Sequence, residues 1–83
     1  RLTLAGLPTK ATGHIELVRV GADLEAWLAA VGIAQGETVT VLRRAPFGGP
    51  LHLRTGSGGE FAIDCGLAAG IWVRSPRRLE DAT

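Results

Sequence analysis

Short runs in which apolar and polar residues alternate, punctuated by glycine or proline about every ten residues, confine this chain to a small all-β fold. A period of two gives each run one apolar and one polar face, the pattern of a half-buried strand in a sandwich or barrel. Five strands are expected. In 37–43, Val39 and Val41 alternate with Thr38 and Thr40; in 51–55, Leu51 and Leu53 alternate with His52 and Arg54. In 61–64, Phe61 and Ile63 alternate with Ala62 and Asp64; in 71–74, Ile71 and Val73 face one way and Trp72 and Arg74 the other. The first strand, 13–20, changes parity. Ile15 and Leu17 share one face and Val18 and Val20 the other, which calls for a bulge or a strand covered on both sides. Gly56-Ser57-Gly58-Gly59 reads as a hairpin connection, because it lacks the Lys-Ser/Thr and following helix of a phosphate-binding loop.

One segment has the other period. Leu24, Trp27, Leu28 and Val31 recur at helical spacing within 22–31, with Asp23 as the expected N-cap and Gly32 just past the end. The stripe is expected to plug one open end of the barrel. A single helical turn is expected near 66–69, before the last strand. The folded domain is expected to span 1–76, and the residues 77–83 to form a polar tail.

With 83 residues the chain has one core and no room for a second lobe around a deep pocket. No apolar run approaches the roughly 20 residues that cross a bilayer, and Arg1 to Ala5 lacks the apolar stretch of a secretory signal, so a cytoplasmic location is expected. The single cysteine, Cys65, leaves no intramolecular disulfide and no cysteine-based zinc cage, which suits a reducing compartment. Nine Lys and Arg against eight Asp and Glu give a net charge of +1, far from the basic excess that binding a phosphate backbone requires. Nucleic acid is therefore not the expected partner. Ser57 and Ser75 have no evident histidine and carboxylate beside them, and Glu60 and Asp64 face no opposing pair, so no catalytic residue is assigned and the chain is not expected to be an enzyme.

The remaining candidates belong to a binding surface. In Ala45-Pro46-Phe47-Gly48-Gly49-Pro50 two prolines fix φ and remove donors while two glycines permit sharp reversal, so the loop is stiff and projects. Phe47 at its tip either folds back onto the core or stays available to a partner. Trp72, pointing opposite to Ile71 and Val73, is either covered by the helix or tail or joins the same surface, as does the outer side of the helix at Trp27. Partner binding is accordingly assigned to Ala45, Pro46, Phe47, Gly48, Pro50, Trp27 and Trp72. For metals, His14 and Glu16 share a face of the first strand and His52 points out from the third. No two histidines are fixed by local spacing. No required cofactor is expected, and any divalent ion, Fe2+ or Zn2+, would bind weakly at these surface donors or bridge two copies into a weak homodimer. Cys65 is read as a small half-buried residue, not a ligand.

Four stretches, in order along nearly the whole chain, resemble the ferrous iron transport A (FeoA) family. Leu4-Ala5-Gly6-Leu7-Pro8 with Gly13-His14-Ile15 is similar to its entry motif, and 28–36, Leu-Ala-Ala-Val-Gly-Ile-Ala-Gln-Gly, to its helix end. Val41 to Pro50, with Arg43, Ala45-Pro46 and Gly48, is similar to its most specific motif, and Phe61-Ala62-Ile63, Ala68 and Ile71-Trp72-Val73 to its closing strands. Lys10 stands where glycine is common, Gly49 where aspartate is common, and Asp64-Cys65 where a basic pair is usual. The resemblance implies a mainly β, small SH3-like five-stranded barrel with one short helix. It also implies a non-enzymatic accessory or regulatory role in bacterial ferrous iron uptake, through binding to the cytosolic part of the FeoB transporter, which carries a GTP-binding domain. An alternative stays open: similar SH3-like domains form the C-terminal part of iron-dependent DtxR-type transcriptional regulators.

Overall fold

A computed structural model of the chain describes residues 2–75, so the polar tail expected at 77–83 lies outside the described residues. Six strands form one antiparallel sheet: β1 (Leu2–Thr3), β2 (Thr12–Val18), β3 (Thr38–Arg44), β4 (Leu51–Thr55), β5 (Glu60–Ile63) and β6 (Ile71–Arg74). The spatial order is β1-β6-β2-β3-β4-β5, so β1 and β5 are its edges. Five of these strands are the ones the alternation predicts. β1 is too short to show a period; it exists because Leu2 and Thr3 pair with Val73 and Trp72.

Two bulges curl the sheet around its core. Ile15 lies opposite Val73 and Leu17 opposite Trp72, so Glu16 is the extra residue and the expected bulge is present, but it falls before Leu17 and not after it: Leu17 turns to the Trp72 face, and Val18, opposite Ile71, shares the core face with Ile15. Leu42 is the corresponding extra residue on β3, between the Val41–Leu53 and Arg43–His52 pairs. The bend lets β2 pair with β3 through Thr12 to His14 and with β6 from His14 onward. Inside the curl, Ile15, Val39, Val41, Leu51, Leu53, Ile63, Ile71 and Val73 are buried, joined by Leu4 and Leu7 from the entry segment. Each fully buried side chain of this size contributes about 1.5–3 kcal/mol. At Gly13 a β-carbon would approach the Val73 side chain to 3.1 Å and that of Leu7 to 3.3 Å, so the entry motif has glycine where β2 and β6 press together.

The helix α1 (Ala22–Ala30) differs from the expectation at both its start and its stripe. Its N-cap is Gly21, not Asp23; the Glu25 carboxylate takes the free backbone N–H groups of Val20 and Gly21, each at 3.0 Å. The end is as expected. Gly32, at φ 97°, allows its own N–H to reach Ala29 and that of Ile33 to reach Leu28, the paired bonds of a Schellman motif with Leu28 and Ile33 both buried. Of the expected plug only Leu28 is buried; Leu24 and Trp27 remain 46% and 50% exposed. The second helical turn is α2 (Cys65–Ala68), capped by the Asp64 carboxylate, which accepts from Gly66 and Leu67 at 2.8 and 3.3 Å.

Candidate functional site

The β3–β4 loop begins where Ala45 N–H donates to Pro50 O at 2.9 Å and closes on a smaller turn in which Gly49 N–H donates to Pro46 O at 3.2 Å. Between them Phe47 and Gly48 both have positive φ, 59° and 72°. Two consecutive left-handed residues match the right-handed twist of the flanking strands, and asparagine or glycine usually occupies them. Phenylalanine does so with strain, because its β-carbon crowds the neighbouring carbonyl. Nor is the side chain held by packing. Phe47 is 104% exposed, so the alternative in which it folds back onto the core is not the one adopted. The loop base is fixed by Arg44, which donates from Nη1 to the Ala5 carbonyl at 2.7 Å and from Nη2 to that of Leu7. This residue ties the entry segment to the loop and carried no signal in the sequence, since its acceptors lie more than thirty positions away.

The structure distributes the seven partner-binding candidates over three places. Ala45, Pro46, Phe47, Gly48 and Pro50 form the loop beyond the Leu51 end of β4. The C-terminal end of α1 packs at the other end of that strand, with Gly32 beside Thr55 and Ser57, so Trp27 belongs to the opposite end of the hairpin. Trp72 is half-buried on β6, across from Thr3 of β1 and Leu17 of β2.

The metal candidates are likewise divided. His14 pairs with Thr38 and His52 with Arg43, five positions along β3, a strand separation of about 15 Å. The bulge gives Glu16 to Arg74, whose Nε lies 3.9 Å from Oε2. His52 Nε2 lies 3.2 Å from Glu60 Oε1, and Arg54 Nε 3.8 Å from the other oxygen of that carboxylate. Among the described residues no three His, Cys, Asp or Glu side chains converge on one point, so these residues do not fit a closed metal centre. Ser57 Oγ meets Thr55 Oγ1 at 3.0 Å, a contact internal to the β4–β5 turn.

Among the described residues Lys10 is the other non-glycine residue with positive φ, 74°, held by its N–H on Val41 O. Its conformation explains why a glycine suits that position, and the signal was the departure from glycine itself.

Residues 2–75 match a family model described as the FeoA domain. Among solved structures, an iron uptake regulatory protein (FeoA) superposes with a TM-score of 0.81 at 29% identity, over 90% of this chain and 97% of that one. FeoA of Stenotrophomonas maltophilia in complex with zinc, described as a prokaryotic SH3 domain protein, gives 0.74 at 26% identity, over 88% and 89%. A manganese-dependent transcriptional repressor gives 0.79 at 24% identity over 90% of this chain but 36% of its own, a likeness of fold alone. No curated protein matches. The mainly β, SH3-like fold expected from the sequence is thus the one found, with a sixth strand added.

Proposed function

The chain belongs to the FeoA family, and from that premise we propose that it is a non-enzymatic accessory protein of bacterial ferrous iron uptake that works in the cytoplasm by binding the cytosolic part of a FeoB-type transporter. The observation that carries the site is Phe47. A bulky ring held in a left-handed turn and exposed over its whole surface contributes nothing to the core, and such a residue is best used as an anchor entering a partner's pocket. Ala45, Pro46, Gly48 and Pro50 hold that anchor rigid, which lowers the ordering cost of binding. Trp27 and Trp72 would meet the same partner only if it reaches around the sheet. No helix among the described residues is long and apolar enough to cross a membrane, so the transporter would supply the membrane part.

Supporting this reading is the family match over residues 2–75 and the nearly full coverage of a FeoA structure. Metal has a minor role in it. His14 with Glu16, or His52 with Glu60, offers two donors at most, enough for a weak Fe2+ or Zn2+ bridge between two copies and too few for a resident cofactor. The test is co-purification of the chain with the FeoB cytosolic domain, with GTPase rate measured in its presence. Binding that weakens at least about tenfold in Phe47→Ala is expected; absence of binding by the unaltered chain overturns the function, and unchanged binding by the variant overturns the site. The second reading is a C-terminal module of a DtxR-type regulator, with which the repressor's shared fold is compatible. A DNA-binding domain encoded upstream of Arg1 would establish it.

A further inference from the structure

The outward face of β3, β4 and β5 gathers positive charge that the chain as a whole lacks. Lys10, Arg43, His52 and Arg54 border a concavity of about 510 Å3 that contains one carboxylate, Glu60. Glu60 is engaged by His52 and Arg54, which leaves Lys10 and Arg43 without a carboxylate within ion-pair distance among the described residues. Lys10 reaches this place through a left-handed backbone that glycine would adopt without strain. Directly beyond Arg43, His52 and Glu60, the same face continues into a second concavity of about 310 Å3 walled by Ala45, Pro50 and Ala62, with Phe61, which lies across from Leu53 on the other face of β5, at its border. One end of the groove is cationic and the other apolar, and β5 beside it is a free sheet edge.

We propose that this face is a second docking site, for an extended segment of a partner protein that carries an aspartate or glutamate next to an aliphatic or aromatic residue. The carboxylate lies between Lys10 and Arg43 and the apolar side chain against Ala45, Pro50 and Ala62. A free phosphate would use only the cationic end, and a nucleic acid strand would run its phosphates over Glu60 on a chain of net charge +1. Phe47 is not among the residues that form the groove, but Ala45 and Pro50 belong both to its loop and to the apolar end, so the site adjoins the anchor proposed above without depending on which protein that anchor meets.

The test is selection from a random dodecapeptide phage library on the folded chain, followed by titration of the recovered peptides into 15N-labelled protein. Recovered sequences enriched in Asp or Glu beside Leu, Ile or Phe, shifting the amides of both Arg43 and Ala62, are expected. The double variant Lys10→Glu/Arg43→Glu should weaken them at least about tenfold, and Ala62→Gln, which fills the apolar end without touching the core, should weaken them by a smaller factor. Preserved amide dispersion shows that the variants are folded. Recovery of no peptides, or of basic or purely apolar ones, overturns the proposal. So do undiminished affinity in the double variant, and inorganic phosphate or a single-stranded oligonucleotide that shifts the cationic end and displaces the peptide.

Discussion

At two reversals of the chain the backbone turns left-handed, and the two put that turn to contrary use. At Gly32 it brings Ile33 back under Leu28, both of them buried, and satisfies the last carbonyls of α1. At Phe47 and Gly48 it carries an aromatic ring out into solvent. The first has the residue type the geometry favours and stabilises the fold; the second has a residue the geometry disfavours and buries nothing. Strain at the first site would be a defect. At the second it is consistent with the contact outside the chain proposed for Phe47.

The largest expected effect breaks the first region. Leu28→Ala should lower unfolding free energy by about 2–5 kcal/mol in thermal or urea denaturation, whereas Trp27→Ala, on the exposed side of the same helix, should lower it by less than about 1 kcal/mol. Equal losses would mean that the whole stripe is core. Gly32→Ala is next. A β-carbon there meets only ordinary contacts at 3.4 Å and beyond, so the loss of about 1–2 kcal/mol comes from φ, and a urea midpoint unchanged from the parent would remove the Schellman closure as a stabilising device. Smallest, and opposite in sign, is Phe47→Asn. Asparagine tolerates the left-handed turn and no buried surface is lost, so stability should stay the same or rise by up to about 1 kcal/mol. A drop of more than 1 kcal/mol would show that the ring packs in solution and that the contrast between the regions is false.

Much of this architecture could be read from local pattern. The strands at 51–55 and 71–74 keep the bounds the alternation gives them; the apolar pattern of 13–20 shows that a bulge is needed but not where, since Leu17 faces away from Ile15 and Val18 faces with it. Gly32 announced its cap. Asp23 has the chemistry of an N-cap but stands two positions past Gly21, inside the helix, while Glu25 reaches back to do the capping. The site was less legible. Stiffness of the 45–50 loop followed from its prolines and glycines, but whether Phe47 folds inward depends on what lies beneath it. The grouping of Lys10 with Arg43 and Arg54 was invisible, since the chain's near-neutral total conceals a local excess.

By itself the sequence determined a mainly β domain with one short helix and one reinforced loop, because period, Gly/Pro spacing and capping residues act over a few positions along the chain. Only the tertiary structure decided which half of the helical stripe is covered, that His14 and His52 stand apart on β2 and β4, and that Trp27 and Phe47 belong to opposite ends of the β3–β4 hairpin. Those outcomes depend on strand register and on the two bulges, which fix distances between residues remote in sequence.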